Sequence, residues 1–483
     1  MVSVLVWGLY LSAACAVTVC DASITPRTQV NSQERLVTPQ TNTSVNFDDI
    51  LYPIRGRVFR DWDQRHVCYP AEFYYPRSVD DIVAIVKENN NANAHRQIKV
   101  VGAGHSFSPI MIADDRNAIM MSLDKVNKFL SPTMEAMDEY TEGDQLVTVE
   151  SGMRLWELNE NLIHLGLAME NLGAITEQSV AGAFSTSTHG TGGSLGSLAT
   201  AVRGIKFVSA NGTLVSASID SNPELFHAVV VGLGAIGVVV EVTLKVQPAY
   251  KLYRSQTKWD LDELIHELPV LLQRYERLQW YWTPYVSGEN AVLLTREATD
   301  KAIEPAGMGC WNGTKVVTPT CVDISNRVLS RDGRAGTLFT EMEQFIPIAH
   351  CMDALNDFRA FQEMPEVVAA YNPKDKLFTG VRYVAADKHW MSMMYESDIC
   401  VISFIAWGNT HESGDSNVFK FYAQELERIS HRYGGRPHWG KMNWGTRAYF
   451  RTVYPRLDDF VQLQRSMDPN GIFMNQYLRE RLH

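Results

Sequence analysis

The sequence predicts an α+β fold, and three stretches support this prediction. Residues 238–246, VVVEVTLKV, alternate apolar and polar side chains with a period of two, as a half-buried strand does. Residues 153–166, MRLWELNENLIHLG, place Leu155, Leu158, Leu162 and Leu165 on one face of a helix that Gly166 ends. Residues 204–218, GIKFVSANGTLVSAS, predict a hairpin with a type I′ turn at its Asn-Gly pair.

Composition and charge narrow the class of protein. The chain has 483 residues, of which 45% are hydrophobic and 20% charged, as in an ordinary globular protein. This length suggests about two to four domains. The formal net charge of −11 argues against nucleic acid or an anionic membrane surface as a partner.

The first twenty residues, MVSVLVWGLYLSAACAVTVC, carry no charged side chain and are mostly apolar. We expect residues 1–22 to be a signal peptide or a short membrane anchor, followed by a polar lead-in over 23–60. Sequons at Asn42, Asn211 and Asn312 favour a glycoprotein. The sequence therefore predicts a place in the secretory pathway, in the ER lumen, at the ER membrane or outside the cell.

The cysteines outside this leader predict one disulfide bond. Cys310 and Cys321 bracket a polar loop that contains a sequon, and we expect them to be bonded. Cys68, Cys351 and Cys400 are expected to be buried, unreactive thiols. No C-x-x-C pair occurs, so the sequence predicts no zinc ribbon and no metal site.

Residues 232–237, GLGAIG, have the spacing of a dinucleotide-binding fingerprint. That fingerprint must follow a strand and open a helix. Here a helix capped by Asn222 and started by Pro223 comes before the glycines, and a strand comes after them. The order is reversed, so the sequence argues against a nucleotide-binding turn of that kind.

Two other segments are rich in small residues. Residues 97–109, QIKVVGAGHSFSP, carry a strand into a glycine turn, where the backbone can approach a ligand closely. Residues 171–193, NLGAITEQSVAGAFSTSTHGTGG, are rich in Gly, Ser and Thr between well-patterned elements. We interpret this segment as backbone laid against an extended polar ligand, such as a dinucleotide pyrophosphate. The alternative is a flexible loop.

A short segment after the 171–193 region contains the signature of a serine hydrolase. Residues 192–196 fit G-x-S-x-G with Ser194 as nucleophile, but the preceding STSTHGTG is no core strand, so a hydrolase remains a remote alternative.

Residues 436–444, RPHWGKMNW, bring His438, Trp439 and Lys441 together before DPNGIFMNQYL. Taken alone, this cluster fits a surface turn and a functional site about equally.

These motifs together resemble the aldonolactone oxidases, a family of the vanillyl-alcohol-oxidase superfamily of flavoproteins. The resemblance runs from about Asp61 to His483 and is carried by CYPAEFYYPRSVDDIVAIV, VVGAGHS, the 171–193 segment, EMEQFIP and HWGK with DPNGIFMNQYL. It implies a split FAD-binding domain of the PCMH type, with two α/β subdomains over 61–250. A substrate or cap domain with an antiparallel sheet would cover 251–435, and residues 436–483 would complete the flavin site.

The resemblance also implies the cofactor and its contacts. FAD would be bound covalently through His105. GLGAIG would be a turn beside the FAD, with Ile236 as a backbone contact. The other residues expected to line the cofactor are Gly102, Ala103, Gly104, Ser106, Ser179, Gly182, Ser185, Thr188, His189, Gly190 and His438.

The implied activity is that of an oxidase. It would oxidise the C2 carbinol of a sugar-derived 1,4-lactone, such as D-arabinono- or L-gulono-1,4-lactone, to an ascorbate-type product. Dioxygen would be the acceptor and hydrogen peroxide the by-product. Lys441 and Arg382 are the cations expected near the substrate, and Gly173 the small residue that leaves room for oxygen.

One position departs from the family's pattern. Residues 379–390, TGVRYVAADKHW, resemble its Glu-x-Arg strand, but Gly380 stands in place of the Glu while Arg382 is kept. Glu341 or Glu343 could supply the missing charge. An alditol or other carbohydrate oxidase is therefore the alternative, with a polyol in place of the lactone.

Overall fold

The structure, a computed structural model, describes residues 53–91, 95–131, 145–303, 310–312, 315–316, 319–330, 338–371, 377–407 and 417–483. The expected leader over 1–22, most of the lead-in, the Asn42 sequon and part of the Asn312 sequon lie outside these residues. Within the described ranges, we find no helix with the length and apolarity needed to cross a membrane.

The first described segment forms a small parallel sheet. A short hairpin of β1 and β2 precedes β3, α1, β4 and β5, and the parallel strand order is β3-β5-β4. Helix α1 buries Ile82, Ile85 and Val86 in the core beside this sheet. The elements are β1 (Phe59–Arg60), β2 (Val67–Cys68), β3 (Glu72–Tyr74), α1 (Val79–Asn91), β4 (Ile98–Val101) and β5 (Ile119–Ser122).

The next segment forms a five-stranded antiparallel sheet, in the order β6-β10-β8-β9 with β7 paired to β10. Its elements are β6 (Gln145–Glu150), α2 (Leu155–His164), β7 (Leu167–Ala168), α3 (Val180–Ser185), β8 (Val202–Val208), β9 (Leu214–Ser218), α4 (Pro223–Val230) and β10 (Val238–Pro248).

The three stretches that predicted an α+β fold form the expected elements, with two local corrections. The period of two along β10 is confirmed by its alternating burial. Leu165 is 44% exposed, against expectation, because it lies beyond the last turn of α2 at the helix C-cap. The hairpin loop is also longer than predicted. Ser209 donates its N–H to Thr213, and Gly212 takes a φ of +77° while Asn211 does not, so the turn is not type I′.

The reversed order around GLGAIG is confirmed. Asn222 is the N-cap of α4 and Pro223 its first residue, and the glycine turn leads from this helix into β10.

The rest of the chain builds an eight-stranded antiparallel sheet, called here the large sheet. Its order is β16-β11-β13-β12-β18-β19-β17-β20, while β14 and β15 pair separately. The elements are β11 (Lys251–Trp259), α5 (Leu261–Arg274), β12 (Arg277–Trp282), β13 (Ala291–Ala298), β14 (Trp311–Asn312), β15 (Lys315–Val316), β16 (Thr320–Ile324), α6 (Ser325–Leu329), β17 (Phe339–Pro347), α7 (Cys351–Gln362), α8 (Pro365–Ala370), β18 (Leu377–Val384), β19 (Ile399–Trp407), α9 (Asn417–Arg432) and β20 (Arg436–Pro437).

The two faces of the large sheet differ in chemistry because side chains alternate along each strand. One face buries apolar side chains such as Trp280, Ile402 and Phe404, and α5, α7 and α9 contact strands of this sheet. Tyr281 and Arg382 have the alternate positions and lie on the opposite face. This second face, called the polar face, carries the candidate site.

The C-terminal segment returns to the parallel sheet. It contains α10 (Arg447–Val453), α11 (Leu457–Met467) and α12 (Gln476–Leu482). Ile98 donates its N–H to Ile472 O at 2.7 Å, and the buried Lys99 ammonium donates to Phe473 O at 3.1 Å. The end of the chain is therefore bonded to β4, the strand that leads into the glycine turn.

Two disulfide bonds are present in the described residues. Cys310 and Cys321 are bonded, which confirms the predicted pair. Cys351 and Cys400 form a second bond between α7 and β19, so the expectation of free thiols was wrong for both. Cys68 is a buried thiol, as expected. The second pair is far apart in sequence and is brought together only by packing of α7 on the large sheet.

Candidate functional site

A groove runs between the parallel sheet and the five-stranded sheet. It encloses about 990 Å³, including the space at its open mouth. Much of its lining comes from three segments: the glycine turn 102–106, residues of the 171–193 segment, and the turn that leads into β10. The groove thus joins segments that are distant in sequence, and much of its lining is backbone and small side chains.

The glycine turn lies against Ser179 with no space between them. A Cβ at Gly102 would lie 2.3 Å from Ser179 Oγ, so only glycine fits there. Gly104 has a φ of +70°, in the left-handed region that glycine adopts without strain. Ser179 also accepts the N–H of Gly182 as the N-cap of α3. These contacts hold the backbone of the turn at the wall of the groove.

His105 projects from this turn and stays half-buried at the groove. Its ring stacks on Trp62, with ring centroids 4.9 Å apart. Burial, together with the cations Arg154 and Lys441, lowers the pKa of His105 to about 3. The imidazole is therefore uncharged at neutral pH and keeps a nitrogen lone pair for bonding.

The expected cofactor residues divide into two groups. Eight of the predicted residues line the groove: Gly102, Ala103, Gly104, His105, Ser106, Ser179, Gly182 and Ser185. Ile236 is buried and does not line it, whereas its neighbours Gly234 and Gly237 do. The remaining four expected residues, which also do not line the groove, are Thr188, His189, Gly190 and His438.

Of these four residues, Thr188 and Gly190 hold the 171–193 segment in place. Thr188 Oγ1 accepts a hydrogen bond from Gln178 Nε2 at 3.0 Å. A Cβ at Gly190 would lie 2.2 Å from Asn171 Oδ1. Gly173 lies close to the same loop, since a Cβ there would be 2.8 Å from the Thr188 methyl group.

The C-terminal HWGK segment is bonded to the glycine turn. Phe107 donates its N–H to Gly440 O at 2.7 Å, and Ser108 Oγ donates to Trp439 O at 2.6 Å. The ammonium of Lys441 lies 4.9 Å from the centre of the Phe107 ring. Lys441 therefore lies beside the turn that carries His105, close enough to affect the charge of that histidine.

Lys441 forms an ion pair with Glu341, which is almost fully buried on the polar face of the large sheet. Burial raises the pKa of Glu341 despite the opposing effect of Lys441. The side chain of Lys441 is only 19% exposed, so it is not a solvated residue on a surface turn.

Glu343, two residues further along β17, is the centre of a second cluster. Its Oε1 lies 3.6 Å from His189 Nε2 and 3.9 Å from Arg382 Nη1, and it accepts from Ser403 Oγ at 3.0 Å. Its Oε2 lies 4.0 Å from His438 Nε2.

The groups of this cluster differ in their charge at neutral pH. Burial acts to raise the pKa of Glu343, but Lys441, His189 and His438 outweigh it and hold that pKa well below its usual range. Burial lowers the pKa of His438 to about 3, against the attraction of Glu343. At neutral pH the cluster therefore contains an ionised carboxylate, a guanidinium and the neutral His438.

At Gly380 the large sheet leaves no space for a side chain. A Cβ there would lie 2.9 Å from Cε1 of Tyr281, whose ring covers the glycine from the neighbouring strand. The carboxylate near Arg382 comes instead from Glu343 on β17. The site thus holds both cations with carboxylate partners, although position 380 supplies none.

Ser194 does not have the setting of a hydrolase nucleophile. It lies in an exposed turn after an irregular segment, and its N–H donates to Glu276 Oε1 at 2.9 Å. No strand precedes it within residues 186–193.

Sequence reasoning missed Trp62, Tyr281 and Ser403. Trp62 carries no motif, and its role depends on stacking against His105. Tyr281 and Ser403 are identified only by strand pairing, because they lie across from Gly380 on β12 and β19. The one sequence signal for Tyr281 is the period of two along β12, RLQWYW. It places the Tyr281 side chain on the face of the strand opposite to Trp280 and Trp282.

The groove fits a dinucleotide such as FAD. Its glycine-lined wall and the uncharged His105 at its edge suit an extended ligand that the backbone must approach closely. The buried Oε1 of Gln178, a residue that lines the groove, has no hydrogen-bond partner among the described residues and is available to a ligand.

Comparison with known proteins agrees with this geometry. A family model described as D-arabinono-1,4-lactone oxidase matches residues 315–481, and one described as FAD binding domain matches residues 70–218. L-gulonolactone oxidase of Scyliorhinus torazame is 29% identical over 454 residues, which are 88% of this chain and 98% of that protein. L-gulono-1,4-lactone dehydrogenase of Mycobacterium tuberculosis is 27% identical over 456 residues, 88% of this chain and 99% of that one.

Among solved structures, cholesterol oxidase from B. sterolicum has a TM-score of 0.76 at 15% identity and covers 92% of this chain and 100% of its own. This likeness shows the fold, which is that of the PCMH-type FAD-binding proteins.

The matching family models and the named relatives show that the chain is an FAD-dependent oxidoreductase. More narrowly, the chain is similar to aldonolactone oxidases and dehydrogenases over most of its length, as its motifs predicted. The predicted α+β fold class is confirmed. The domain boundaries at 61, 250 and 435 and the roles of the individual site residues stay predictions.

Proposed function

We propose that this chain oxidises the C2 carbinol of a sugar-derived 1,4-lactone, of the D-arabinono- or L-gulono-lactone type, with dioxygen as acceptor. Hydrogen peroxide and an ascorbate-type product would result. The observation that carries the proposal is the position of Lys441. It is bonded through its own segment to the His105 turn and paired with Glu341 on the polar face.

The polar face supports binding of a polyhydroxylated substrate. Lys441 and Arg382 offer cationic donors, and Glu341 and Glu343 offer carboxylate acceptors. All four side chains are at least four-fifths buried, where hydrogen bonds to charged groups are stronger than in water. Together these groups would hold a small sugar derivative in one orientation.

FAD, when bound, supplies the two-electron oxidation chemistry. The residues that line the groove, from the glycine turn to Gly237, would hold it, and His105 would be its covalent attachment. The neutral His105 imidazole and its stacking on Trp62 support this part of the proposal.

Gly173 supports dioxygen as the acceptor. It precedes Gln178 in the 171–193 segment, and a Cβ there would lie 2.8 Å from the Thr188 methyl group and 3.9 Å from Gln178 Oε1, so glycine keeps this position free of a side chain. One relative is named a dehydrogenase. The electron acceptor is therefore tested separately from the substrate.

We also propose that the protein works in the secretory pathway. Two disulfide bonds in the described residues suit an oxidising compartment, and the apolar first twenty residues suit a secretory leader. The Asn211 sequon lies in the exposed hairpin loop between β8 and β9, where a glycan has room.

One set of measurements tests the proposal. Purified holoprotein should show flavin absorbance and release peroxide with 1,4-lactones in air, and it should oxidise xylitol and sorbitol more slowly. Equal or faster peroxide release with the alditols would favour the alditol oxidase. Turnover with a dye or cytochrome but not with dioxygen would contradict the oxidase part and leave a dehydrogenase.

A further inference from the structure

Tyr281 occupies the space that a side chain at position 380 would take. Tyr281 and Gly380 are paired residues of β12 and β18, and their neighbours Gln279 and Arg382 are paired in the same way. The four residues form a block on the polar face. The Tyr281 ring covers Gly380 at a distance that leaves no room for a Cβ.

The hydroxyl group of Tyr281 is surrounded by donors. Its oxygen accepts a hydrogen bond from Gln279 Nε2 at 2.6 Å. It also interacts with Arg382, and this interaction helps to raise the pKa of that guanidinium. A phenol has two acceptor positions and one proton to donate. No hydrogen bond donated by the Tyr281 O–H to a described residue is present, so this proton is available to a ligand.

The charges beyond this block are also cationic. Arg254 and Arg296 are buried and paired across β11 and β13 on the same face. Burial lowers the pKa of Arg296 to about 9, and the Tyr281 oxygen partly offsets that effect. The carboxylates Glu341 and Glu343 lie on β17, on the other side of Arg382 and separated from β18 by β19. The charged groups nearest the Tyr281 hydroxyl are therefore cations, and the carboxylates lie further along the sheet.

We propose that Tyr281 is a specificity-determining residue whose O–H donates to an oxygen that carries only lone pairs, the lactone carbonyl. The inference rests on the proposed function and deepens it. A carbonyl oxygen can accept hydrogen bonds from the Tyr281 O–H and from the Arg382 guanidinium. It carries no proton that would itself need an acceptor. An alditol hydroxyl at the same point would leave its proton without an acceptor, and an unsatisfied buried donor is costly. The Gly380–Tyr281 pair thus favours lactones over polyols.

Two ligands that differ by one oxygen test this inference. A 2-deoxy-1,4-lactone lacks the C2 hydroxyl and is not oxidised at that carbon, and the matching 1,4-anhydro-alditol lacks the carbonyl as well. Calorimetric titration of the holoprotein should show the lactone binding about tenfold more tightly. Tyr281→Phe keeps the ring over Gly380 and removes only the hydroxyl, so this preference should fall several-fold, to the part that Arg382 still provides.

Tyr253→Phe is the matched control, because Tyr253 lies on the opposite face of the large sheet and should leave the preference unchanged. Gly380→Ala displaces the Tyr281 ring and should reduce the preference in the same way, which keeps the test available if Tyr281→Phe folds poorly.

The possible failures are distinguishable. If the wild type turns over lactones and Tyr281→Phe keeps the same preference for the lactone over the anhydro-alditol, this inference alone is overturned. A wild type that neither binds nor oxidises lactones overturns the proposed function as well.

Discussion

Glu343 Oε1 lies 3.9 Å from Arg382 Nη1, although the two residues belong to strands that β19 separates. The Glu343 side chain reaches past Ser403, which donates a hydrogen bond to the same oxygen. Arg382 therefore has a carboxylate beside it even though its own strand has Gly380 in place of a Glu. The departure from the Glu-x-Arg pattern is compensated in space by another strand.

Removal of either site cation should reduce catalysis. Lys441→Ala and Arg382→Ala should each lower kcat/KM for 1,4-lactones about a hundredfold, comparable to the loss of one preorganised electrostatic stabiliser. Flavin content should stay unchanged, because neither residue lines the groove. Steady-state kinetics check this, with Lys206→Ala as the control on a different sheet. Wild-type turnover of Lys441→Ala on every lactone and alditol would exclude Lys441 from the site.

His105 should carry the flavin. Acid-precipitated wild-type protein should keep yellow fluorescence on a denaturing gel, because a covalent bond survives unfolding. His105→Ala should lose it, while His66→Ala, which removes a histidine paired with Asp61, should keep it. Release of free FAD from unfolded wild type would show that the attachment is absent.

Gly173→Ala should slow reoxidation of the reduced flavin more than its reduction by substrate. The added methyl group would lie 2.8 Å from the Thr188 methyl group and crowd the loop. Stopped-flow absorbance separates the two half-reactions. Gly193→Ala is the control, because a Cβ there meets no atom within 4 Å. Equal slowing of both half-reactions would point to a general distortion of the loop.

Glu343→Gln should destabilise the protein in a pH-dependent way. The folded-state pKa of Glu343 is depressed, so its ionised form stabilises the fold above the unfolded pKa of about 4.3, and this stabilisation is lost as pH falls through the folded value. At pH 7 the free energy of unfolding of the variant should be about 3 kcal/mol lower than that of the wild type, because Arg382 loses a buried partner. Urea titrations should show the difference shrinking in acid. A constant difference down to pH 3 would contradict the assigned charge.

The Cys351–Cys400 bond should be a larger source of stability than Cys310–Cys321. Their sequence separations are 49 and 11 residues, and a longer closed loop restricts the unfolded chain more. Replacing Cys351 and Cys400 together by Ala should lower the free energy of unfolding by about 3 kcal/mol. Denaturant titration measures this loss, and peptide mapping without reductant checks the pairing. A free thiol at Cys351 would exclude the bond.

Local patterns in the sequence were sufficient for several individual elements and for the resemblance to the aldonolactone oxidases. The period of two in β10, the capped start of α4 and the ordered glycine-rich motifs depend on neighbours along the chain, and each appears in the structure where it was expected. The motifs also identified the groove residues around His105, because a turn that lets backbone approach a ligand needs small residues at consecutive positions.

The sequence by itself therefore determined the fold class, the resemblance to the aldonolactone oxidases and most of the groove residues around His105. Only the tertiary structure decided which charges face each other. Glu343 meets Arg382, Tyr281 fills the space over Gly380, and Cys351 bonds Cys400, because strand order in the large sheet and the packing of α7 bring them together. Such pairs depend on register between strands that are distant in the chain, and neither hydrophobic period nor local propensity specifies that register.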